Sequence, residues 1–310
     1  MTNNTKAMKT SMSGQKIPFM HRLLSSWKIF RAYQTGIFGK AEIDTNLDLH
    51  NNLSEIIRTY LKRDVKDLKV LDIGCGQKVC QTILFKAGGA DIIGIDMEIP
   101  TYKMDIKTFM KVIKNNGVER AIKSLLRHLL FDRQFYIELS KRYGKKLPFD
   151  AMDIRMMNAV NLSFPDNTFD FIFSAWSFEH FDDVPKAISE INRVLKPSGV
   201  AWIALHLFPS LSGGHHIDWT HPDTSPSSRV LPWDHILDNR YPVNTYLNRL
   251  RLRQYRQIFY ECVDVFDEQL TYEGEKLLVP EIENILKRKG YTREDLLART
   301  VTYLCKKKVS

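Results

Sequence analysis

The sequence lacks the features of membrane-spanning, disulfide-stabilised and low-complexity proteins. None of its apolar runs approaches the ~20 residues that a membrane-spanning helix needs, and the mean hydropathy is -0.28. Its four cysteines form no CxxC pair and no regular spacing, which is unlike a disulfide framework or a zinc site. We therefore expect a globular protein of the cytoplasm, with one elaborated domain or two small ones in 310 residues.

Acidic residues are scarce in two parts of the chain. The 45 Lys and Arg outnumber the 36 Asp and Glu, and the net charge is +9. Residues 1–41 contain seven basic residues and no acid, and residues 101–147 contain twelve basic residues and four acids. We interpret 1–41 as a tail rather than an import signal, since it has no small-residue cleavage site. In the simplest interpretation, the basic residues of 101–147 form the solvent-exposed face of a helical segment. The same charge could also attract a phosphate, a carboxylate, a membrane surface or nucleic acid.

Two amphipathic helices are predicted before the first strand. Apolar residues recur at helical spacing over 19–33 and again over the shorter stretch 53–61. We expect helix 19–33 to pack on the domain or cover a pocket, with peripheral membrane contact as the alternative. Residues 1–67 form this N-terminal region, and residues 68–310 form the main domain.

Alternating strands and helices, with a glycine-rich first turn, predict a doubly wound α/β sheet in the main domain. Strands are predicted at 69–73, 91–96, 169–175, 200–207, 262–272 and 300–305, and helices at 78–87, 184–195 and 280–289. Two long segments interrupt this order: the basic helical insertion 101–147 and a cap loop at 209–257. Five of the twelve prolines lie between 209 and 247, and long structured loops of this kind commonly cover or bind ligands.

The first turn and the second strand predict the kind of ligand. Such sheets bind ligands beyond the carboxyl ends of their strands, where the strand order reverses. Asp96 lies twenty residues after Gly76, at the end of the second strand, where a carboxylate can accept both hydroxyls of a ribose. Val79 stands where a dinucleotide-binding turn has its third glycine, which argues against a nicotinamide cofactor. The sequence therefore predicts a ligand that contains a nucleoside.

Four motifs occur in this order along the chain: VLDIGCG at 70–76, Asp96, LSFPDNTFD at 162–170 and LKPSG at 195–199. Together they resemble the class I S-adenosylmethionine-dependent methyltransferases of the type that includes the ubiquinone and menaquinone methyltransferases. The resemblance covers about residues 68–100 and 148–208. It implies a Rossmann-like, seven-stranded doubly wound sheet, S-adenosylmethionine as cofactor and S-adenosylhomocysteine as product. We expect no metal.

This resemblance also implies which residues contact the cofactor. They are Asp72, Gly74, Cys75 and Gly76 at the methionine end, Asp96 and Met97 at the ribose, Asn158 and Ala159 at the adenine edge, and Ser174, Ala175 and Trp176 beside the sulfonium. The chain departs from the family at Asn158, where Asp is common. It also departs at Lys78, where a small residue is common, so this side chain must point away or reach a carboxylate.

Histidines follow the predicted strand ends and recur in the cap loop. Methyl transfer to a hydroxyl needs a general base, and a histidine near its ordinary pKa of ~6.5 suits neutral pH. The candidate catalytic residues are His180, His206, His215 and His216, with Glu179, Asp218, His221, Asp234 and His235 nearby in sequence. The run from His215 to His221 also raises the question of a metal, although its spacing matches no zinc pattern.

The cap loop is similar to parts of methyltransferases that tailor bacterial surface polysaccharides and small molecules. Trp219 and Trp233 are candidates either for stacking on a sugar or aromatic ring or for anchoring the loop. The arginines of the loop's end, Arg249, Arg251, Arg253 and Arg256, are candidates for gripping a phosphate or for a solvated helix face.

We predict O-methylation of a small or sugar-like acceptor, with a phosphorylated acceptor as one option. The alternatives are a quinone-like or lipid acceptor reached through helix 19–33, RNA methylation, and a catalytically inactive cofactor-binding partner. Nucleic acid is not the expected partner, because the chain has no recognisable RNA-binding module.

Overall fold

A computed structural model describes residues 37–308, and a seven-stranded sheet lies at its centre in the order β3-β2-β1-β4-β5-β7-β6. The strands are β1 (Lys69–Ile73), β2 (Asp91–Asp96), β3 (Asp153–Met156), β4 (Phe169–Ala175), β5 (Leu195–His206), β6 (Asp264–Tyr272) and β7 (Ala298–Lys306). The first five strands are parallel, and β7 is antiparallel to β5 and β6. Strand order reverses between β1 and β4, so a ligand crevice is expected at their carboxyl ends. The predicted doubly wound sheet is confirmed.

Nine α-helices surround the sheet in residues 37–308. They are α1 (Ile37–Ile56), α2 (Cys80–Ala87), α3 (Ile106–Asn116), α4 (Val118–Arg127), α5 (Arg133–Tyr143), α6 (Val184–Val194), α7 (Leu252–Cys262), α8 (Pro280–Arg288) and α9 (Arg293–Leu297). Turns of π-helix follow α1 at Ile57–Leu61 and join α4 to α5 at His128–Asp132. None of the helices in this part of the chain combines the length and apolar character needed to cross a membrane.

Helix α1 differs from the two separate helices that the sequence predicted. Residues 53–61 are the end of one helix that begins at Ile37 and runs into the π turn. Its buried face contains Ile43, Leu49 and Leu53, with His50 among them. This buried histidine interrupts the apolar pattern, and the sequence predicted only residues 53–56 of α1 together with the π turn that follows. The predicted helix 19–33 lies outside the described residues.

Apolar packing covers both faces of the sheet. On one face, Ile188 and Ile191 of α6 and Phe259 of α7 belong to one buried cluster with strand residues. Helix α6 begins where the Asp183 carboxylate accepts a hydrogen bond from Lys186 N, and its apolar residues at helical spacing are buried. On the other face, Leu53 of α1 packs with the strands. Strands of this kind are continuous apolar runs because neither face meets water.

The two segments that interrupt the sheet pack in different ways. The insertion 101–147 contains α3, α4 and α5, and α5 packs on α1 and α2. The cap is irregular apart from a short 3-10 turn at Ile217–Trp219, and the predicted boundary at 257 falls inside α7. A separate buried cluster joins the cap to α8 and α9.

Trp219 and Trp233 are the largest side chains of that cap cluster. Both are buried, and Trp233 is 0% exposed. They pack with Leu286 and Leu296 from α8 and α9. Of the two predicted roles, anchoring of the loop is the one observed, and stacking of Trp233 on a ligand ring is wrong because burial leaves it no open face.

His50 gives the fold a dependence on pH. Burial, with a smaller contribution from Lys145, lowers the pKa of His50 to about 4. Its Nε2 lies 3.1 Å from the Tyr143 hydroxyl, and its ring packs edge-on against Phe85. The folded state binds a proton at His50 less readily than the unfolded state does. The free energy of unfolding is therefore highest above pH ~6.5 and falls as the pH drops towards 4.

We therefore predict that His50→Gln reduces the acid sensitivity of the fold. Between pH 7.5 and pH 4.5 the free energy of unfolding of the wild type should fall by about 2 to 3 kcal/mol more than that of the variant. Urea unfolding at the two pH values measures the difference. An equal fall in both proteins would show that folding does not lower the pKa of His50.

Candidate active site

The glycine-rich loop after β1 is held against the end of β2 by backbone hydrogen bonds. Gly74 N and Cys75 N both donate to Ile95 O, at 2.9 and 3.1 Å, and Gly76 N donates to Asp96 Oδ2 at 2.9 Å. Asp96 Oδ1 accepts from Glu98 N at 2.8 Å. Each carboxylate oxygen keeps a further acceptor site, because a carboxylate offers about four in all. Asp96 therefore fits the predicted role of accepting the hydroxyls of a ribose.

Asp72 lies beneath this loop and contacts α2. Its Oδ2 accepts a hydrogen bond of 2.6 Å from the Thr82 hydroxyl. Burial raises the pKa of Asp72 to about 7, against the opposing effect of the Thr82 hydrogen bond. Thr82 was not predicted from the sequence, because nothing in the spacing shows that its hydroxyl turns inward. The predicted contact of Asp72 with the methionine end stays a prediction.

The loops after β1 and β4 touch each other. The Ser174 hydroxyl donates to Ile73 O at 2.8 Å and lies 2.7 Å from the Ser177 hydroxyl. A Cβ at Gly74 would overlap the Ser177 hydroxyl and lie 2.6 Å from its Cβ. The neighbouring Trp176 is 45% exposed and has a left-handed backbone, with φ of 52°. Ser174, Ala175 and Trp176 therefore reach the expected edge of the sheet.

The loop after β3 approaches the same edge. Met157 N donates to Asp96 O at 3.0 Å, which joins the ends of β2 and β3. The Asn158 side-chain oxygen accepts from Val160 N at 3.0 Å and forms a local turn. Ala159 is buried, whereas Met97 is exposed. Their contacts with adenine and ribose stay predictions.

Lys78 reaches a carboxylate, as the sequence analysis required. Its Nζ donates to both oxygens of Glu42 on α1, at 2.8 and 2.7 Å. The ion pair fastens α1 beside the glycine-rich loop. The insertion is fastened there too, since Thr101 N donates to Gln77 O at 3.1 Å.

Two histidines and a glutamate meet where β4 and β5 end. One donor atom from each of Glu179, His206 and His215 lies within 4.8 Å of the other two, and we name this group the Glu179–His cluster. His215 Nε2 is 3.9 Å from Glu179 Oε1. The His180 ring packs edge-on against His215 at 5.1 Å. Three of the four predicted catalytic histidines therefore converge, whereas His216 lies in the cap, where its Nδ1 accepts from Asp218 N.

Burial changes the acid–base properties of this cluster. Glu179 is 2% exposed, and burial raises its pKa to about 7. The nearby backbone N–H groups of Glu179 and His206 oppose this rise but do not cancel it. Burial, with neighbouring histidines adding to the effect, lowers the pKa of His206 to about 3 and of His215 to about 4. The expectation of a histidine titrating near 6.5 is therefore wrong for these two, which are neutral at pH 7 and keep a free lone pair.

Hydrogen bonds determine the tautomer of His206. The Ser212 hydroxyl donates to Glu273 Oε1 at 2.6 Å, and Ser212 N donates to the same oxygen at 2.7 Å. His206 Nε2 lies 2.8 Å from that hydroxyl. Because Ser212 has only one hydroxyl proton and Glu273 takes it, Nε2 must be the protonated nitrogen. The lone pair is then on Nδ1.

Close backbone packing positions His215. A Cβ at Gly213 would overlap Leu207 O, and one at Gly214 would lie 2.5 Å from His235 Cγ. His215 itself has a φ of 56°, a left-handed conformation that is unfavourable for a residue with a Cβ. The two glycines therefore let the cap loop press against the end of β5, and this contact places His215 beside Glu179.

A cavity of about 370 Å³ opens in the cap next to this cluster. Its lining includes Phe208, His216, Trp219, His235, Tyr241 and Arg249. The Arg249 guanidinium lies over the Phe208 ring at 5.4 Å and forms no salt bridge with a carboxylate in residues 37–308. The cavity therefore combines apolar walls with a cation, which is typical of a small-molecule site.

The predicted arginine cluster does not form. Helix α7 begins at Leu252, after Arg249. Arg256 pairs with Glu268 at 2.9 Å, and Arg251 Nη1 donates to Gly290 O. Of the four arginines, only Arg249 lines the cavity, because Arg251 and Arg256 are held by partners distant in sequence and Arg253 is exposed on α7.

The metal site considered for the run from His215 to His221 is not formed either. Asp218 makes a two-pronged ion pair with Arg229, with separations of 3.1 Å, and His221 is exposed. His215 joins the Glu179–His cluster instead.

The contact between the two loops predicts unequal effects of alanine at Gly74 and Gly76. Both glycines have a left-handed backbone, with φ of 74° and 69°, but no atom lies within 4 Å of a Cβ at Gly76. Gly74→Ala should therefore destabilise the ligand-free protein by about 1–3 kcal/mol more than Gly76→Ala, because of the overlap with Ser177. Denaturant unfolding measures both, and equal losses would contradict the observed contact.

Comparisons with known proteins agree with this geometry. Residues 71–203 match the family model described as a methyltransferase domain. A demethylmenaquinone methyltransferase from Symbiobacterium thermophilum is 39% identical over 64 residues, which are 20% of this chain and 26% of that protein. Another, from Desulfitobacterium hafniense, is 28% identical over 134 residues, which are 42% and 47% of the two chains. The chain thus spans less than half the length of these two relatives.

Among solved structures, the YcgJ protein from Bacillus subtilis aligns over 84% of this chain and 100% of its own, with 16% identity and a TM-score of 0.41. The segment that matches the family model extends from β1 into β5 and contains the glycine-rich loop, Asp96 and the reversal of strand order. This part of the chain is a class I S-adenosylmethionine-dependent methyltransferase domain, with S-adenosylmethionine as its cofactor.

Proposed function

We propose that the protein transfers the methyl group of S-adenosylmethionine to a hydroxyl oxygen of a small polar acceptor held in the cap cavity. The Glu179–His cluster carries this proposal, because it places buried proton acceptors where β4 and β5 end. Glu179 comes two residues after Ser177, which touches the glycine-rich loop. When bound, the cofactor supplies an electrophilic methyl group on a sulfonium.

The chain's own part is to position the reactants and to accept a proton. Asp96 holds the ribose, and the Ser174 and Ser177 contacts keep the ends of β1 and β4 together. The Glu179 carboxylate and His215 Nε2 are buried and have no hydrogen-bond partner in residues 37–308. They are therefore available to accept the hydroxyl proton as the oxygen is methylated, and general-base catalysis of this kind contributes about 10²–10⁴-fold.

The lining of the cap cavity supports a small acceptor with polar groups. A volume of about 370 Å³ is in the range of small-molecule sites. Arg249 suits an anionic group such as a phosphate or carboxylate. Trp219 contributes part of the cavity wall while its side chain stays 2% exposed. A sugar-like or phenolic acceptor that carries an anionic group suits this lining.

A second candidate is an acceptor with an apolar chain, and an exposed surface on the insertion favours it. This apolar surface consists of Ile106, Met110, Val118, Ile122, Leu126, Leu129 and Leu130, which are between 46% and 85% exposed. Exposed lysines of α3 lie around it, as in proteins that bind anionic lipid surfaces. The names of two relatives refer to demethylmenaquinone, a quinone.

The nucleoside site is tested through Asp96. Asp96→Ala should weaken the binding of S-adenosylmethionine and S-adenosylhomocysteine by roughly 10- to 100-fold, because hydrogen bonds to a charged group are lost. Isothermal titration calorimetry measures both ligands, with NADH as a ligand that should not bind. Asp91→Ala, at the exposed start of the same strand, is the matched control and should bind normally. Equal binding by both variants would remove the ribose role of Asp96.

The acceptor is tested by product analysis. With methyl-labelled cofactor, sugar nucleotides and phenols should give O-methyl products, and Glu179→Gln should lower their turnover at least about 100-fold with cofactor affinity unchanged. A C-methyl product from an isoprenoid quinol, reduced by Leu126→Ser with Leu130→Ser, would favour the second candidate. Cofactor binding without transfer to any acceptor would favour an inactive cofactor-binding partner.

A further inference from the structure

We infer that Glu179, His206 and His215 bind one divalent first-row transition-metal ion, such as Zn²⁺. The three side chains offer two imidazole nitrogens and one carboxylate, a donor set that holds such ions in many enzymes. Mg²⁺, which prefers oxygen ligands, should bind far more weakly. The ligands come from three places in the chain: the turn after β4, the end of β5 and the cap loop.

The distances suit an ion that draws its ligands together. One donor atom from each residue lies within 4.8 Å of the others, and the Glu179–His215 pair is at 3.9 Å. Ligand atoms about 2.1 Å from a tetrahedral ion lie roughly 3.4 Å apart. Side-chain rotations that move each donor atom by about 1 Å or less therefore complete the site, without movement of the sheet.

The burial of these donors is unusual without a ligand. Both oxygens of Glu179, and Nε2 of His215, are buried and have no hydrogen-bond partner in residues 37–308. Each such group destabilises the fold when it is left without a partner. His215 also holds a left-handed backbone conformation, and unfavourable conformations of this kind concentrate at ligand and catalytic sites. A bound cation satisfies all three unpartnered atoms at once.

The surroundings of His206 match those of a metal-ligating histidine. Such a histidine usually donates its second ring N–H to an acceptor, which sets the tautomer and aims the other nitrogen. His206 does this through Ser212, which is itself held by Glu273. Arg299, whose positive charge lies near His206, is paired with Glu273 at 3.2 Å. Ser212 is therefore a positioning residue for the proposed ion.

An ion with three protein ligands keeps at least one position open. The cluster borders the cap cavity through Gly214, which lines the cavity and precedes His215. With the ion bound, Glu179 and His215 serve as its ligands instead of accepting the hydroxyl proton, and the open position takes an oxygen function of the acceptor. This consequence for the acceptor rests on the proposed O-methylation, whereas metal binding itself does not.

Metal binding is tested without cofactor or acceptor, so that its outcome is independent of the proposed activity. Tag-free full-length protein is stripped with a chelator and titrated with Zn²⁺ by calorimetry, and with Co²⁺ by visible absorption. We expect one Zn²⁺ per chain and ligand-field bands from Co²⁺. Glu179→Gln and His215→Asn should each weaken Zn²⁺ binding by at least roughly 10–100-fold. That is the effect of removing a residue that only hydrogen-bonds to a metal ligand, and removing a ligand itself should do no less.

Two further variants separate the site from general effects on the fold. His221→Asn changes an exposed histidine of the same loop and should bind Zn²⁺ like the wild type. Ser212→Ala keeps all three ligands and should weaken Zn²⁺ binding by about 10-fold, since His206 loses the partner that sets its tautomer. Far-ultraviolet circular dichroism checks that each variant folds. Failure to bind Zn²⁺, or equal binding by wild type, Glu179→Gln and His215→Asn, would overturn the inference, whether or not the protein methylates an acceptor.

Discussion

The contact between the loops after β1 and β4 is the constraint on which the rest of the site depends. Gly74 passes so close to Ser177 that no side chain fits between them, and Ser174 hydrogen-bonds to the backbone at Ile73. This contact joins the two strands at which the strand order reverses. It brings Asp96, which holds Gly76 N, to one side of the crevice, and Glu179, two residues after Ser177, to the other. A change at this contact would therefore move Asp96 and Glu179 relative to each other.

Much of the sheet could be predicted, because strands buried on both faces are continuous apolar runs with a distinct start and end. The runs at 69–73, 91–96 and 169–175 match β1, β2 and β4. Strand β3 could not be found in the same way: Asp153–Met156 lies at the sheet edge, has no buried side chain and contains no apolar run. Residues 37–52 of α1 were missed, because polar residues, among them the buried His50, interrupt the apolar pattern there.

The site was predicted in part, and the missing part depends on contacts between residues distant in sequence. Spacing alone located Asp96 at the end of β2 beside the glycine-rich loop, and the expected neighbouring strands brought His180 and His206 to one end of the sheet. Burial could not be read from the sequence, so His206 and His215 were expected to be ordinary bases. The pairing of Asp218 with Arg229 was equally hidden, and it removes this carboxylate from any role in the cluster. The residue types in the sequence indicated which side chains could act as bases or ligands. Packing determines which of these side chains have no partner within the protein.

The packing of the cap has a consequence for the order in which the protein folds during synthesis. Trp219 and Trp233 form their core with Leu286, Leu296 and Leu297, which are made more than fifty residues later. The hydrogen bonds that hold Asp96 to the glycine-rich loop involve only β1, β2 and the loop between them, which are made much earlier. A nascent chain can therefore pair these two strands early, whereas β5 and its core need β7. The wall of the cap cavity that contains Leu211, Trp219 and Val230 packs fully only when the chain has been completed through α9.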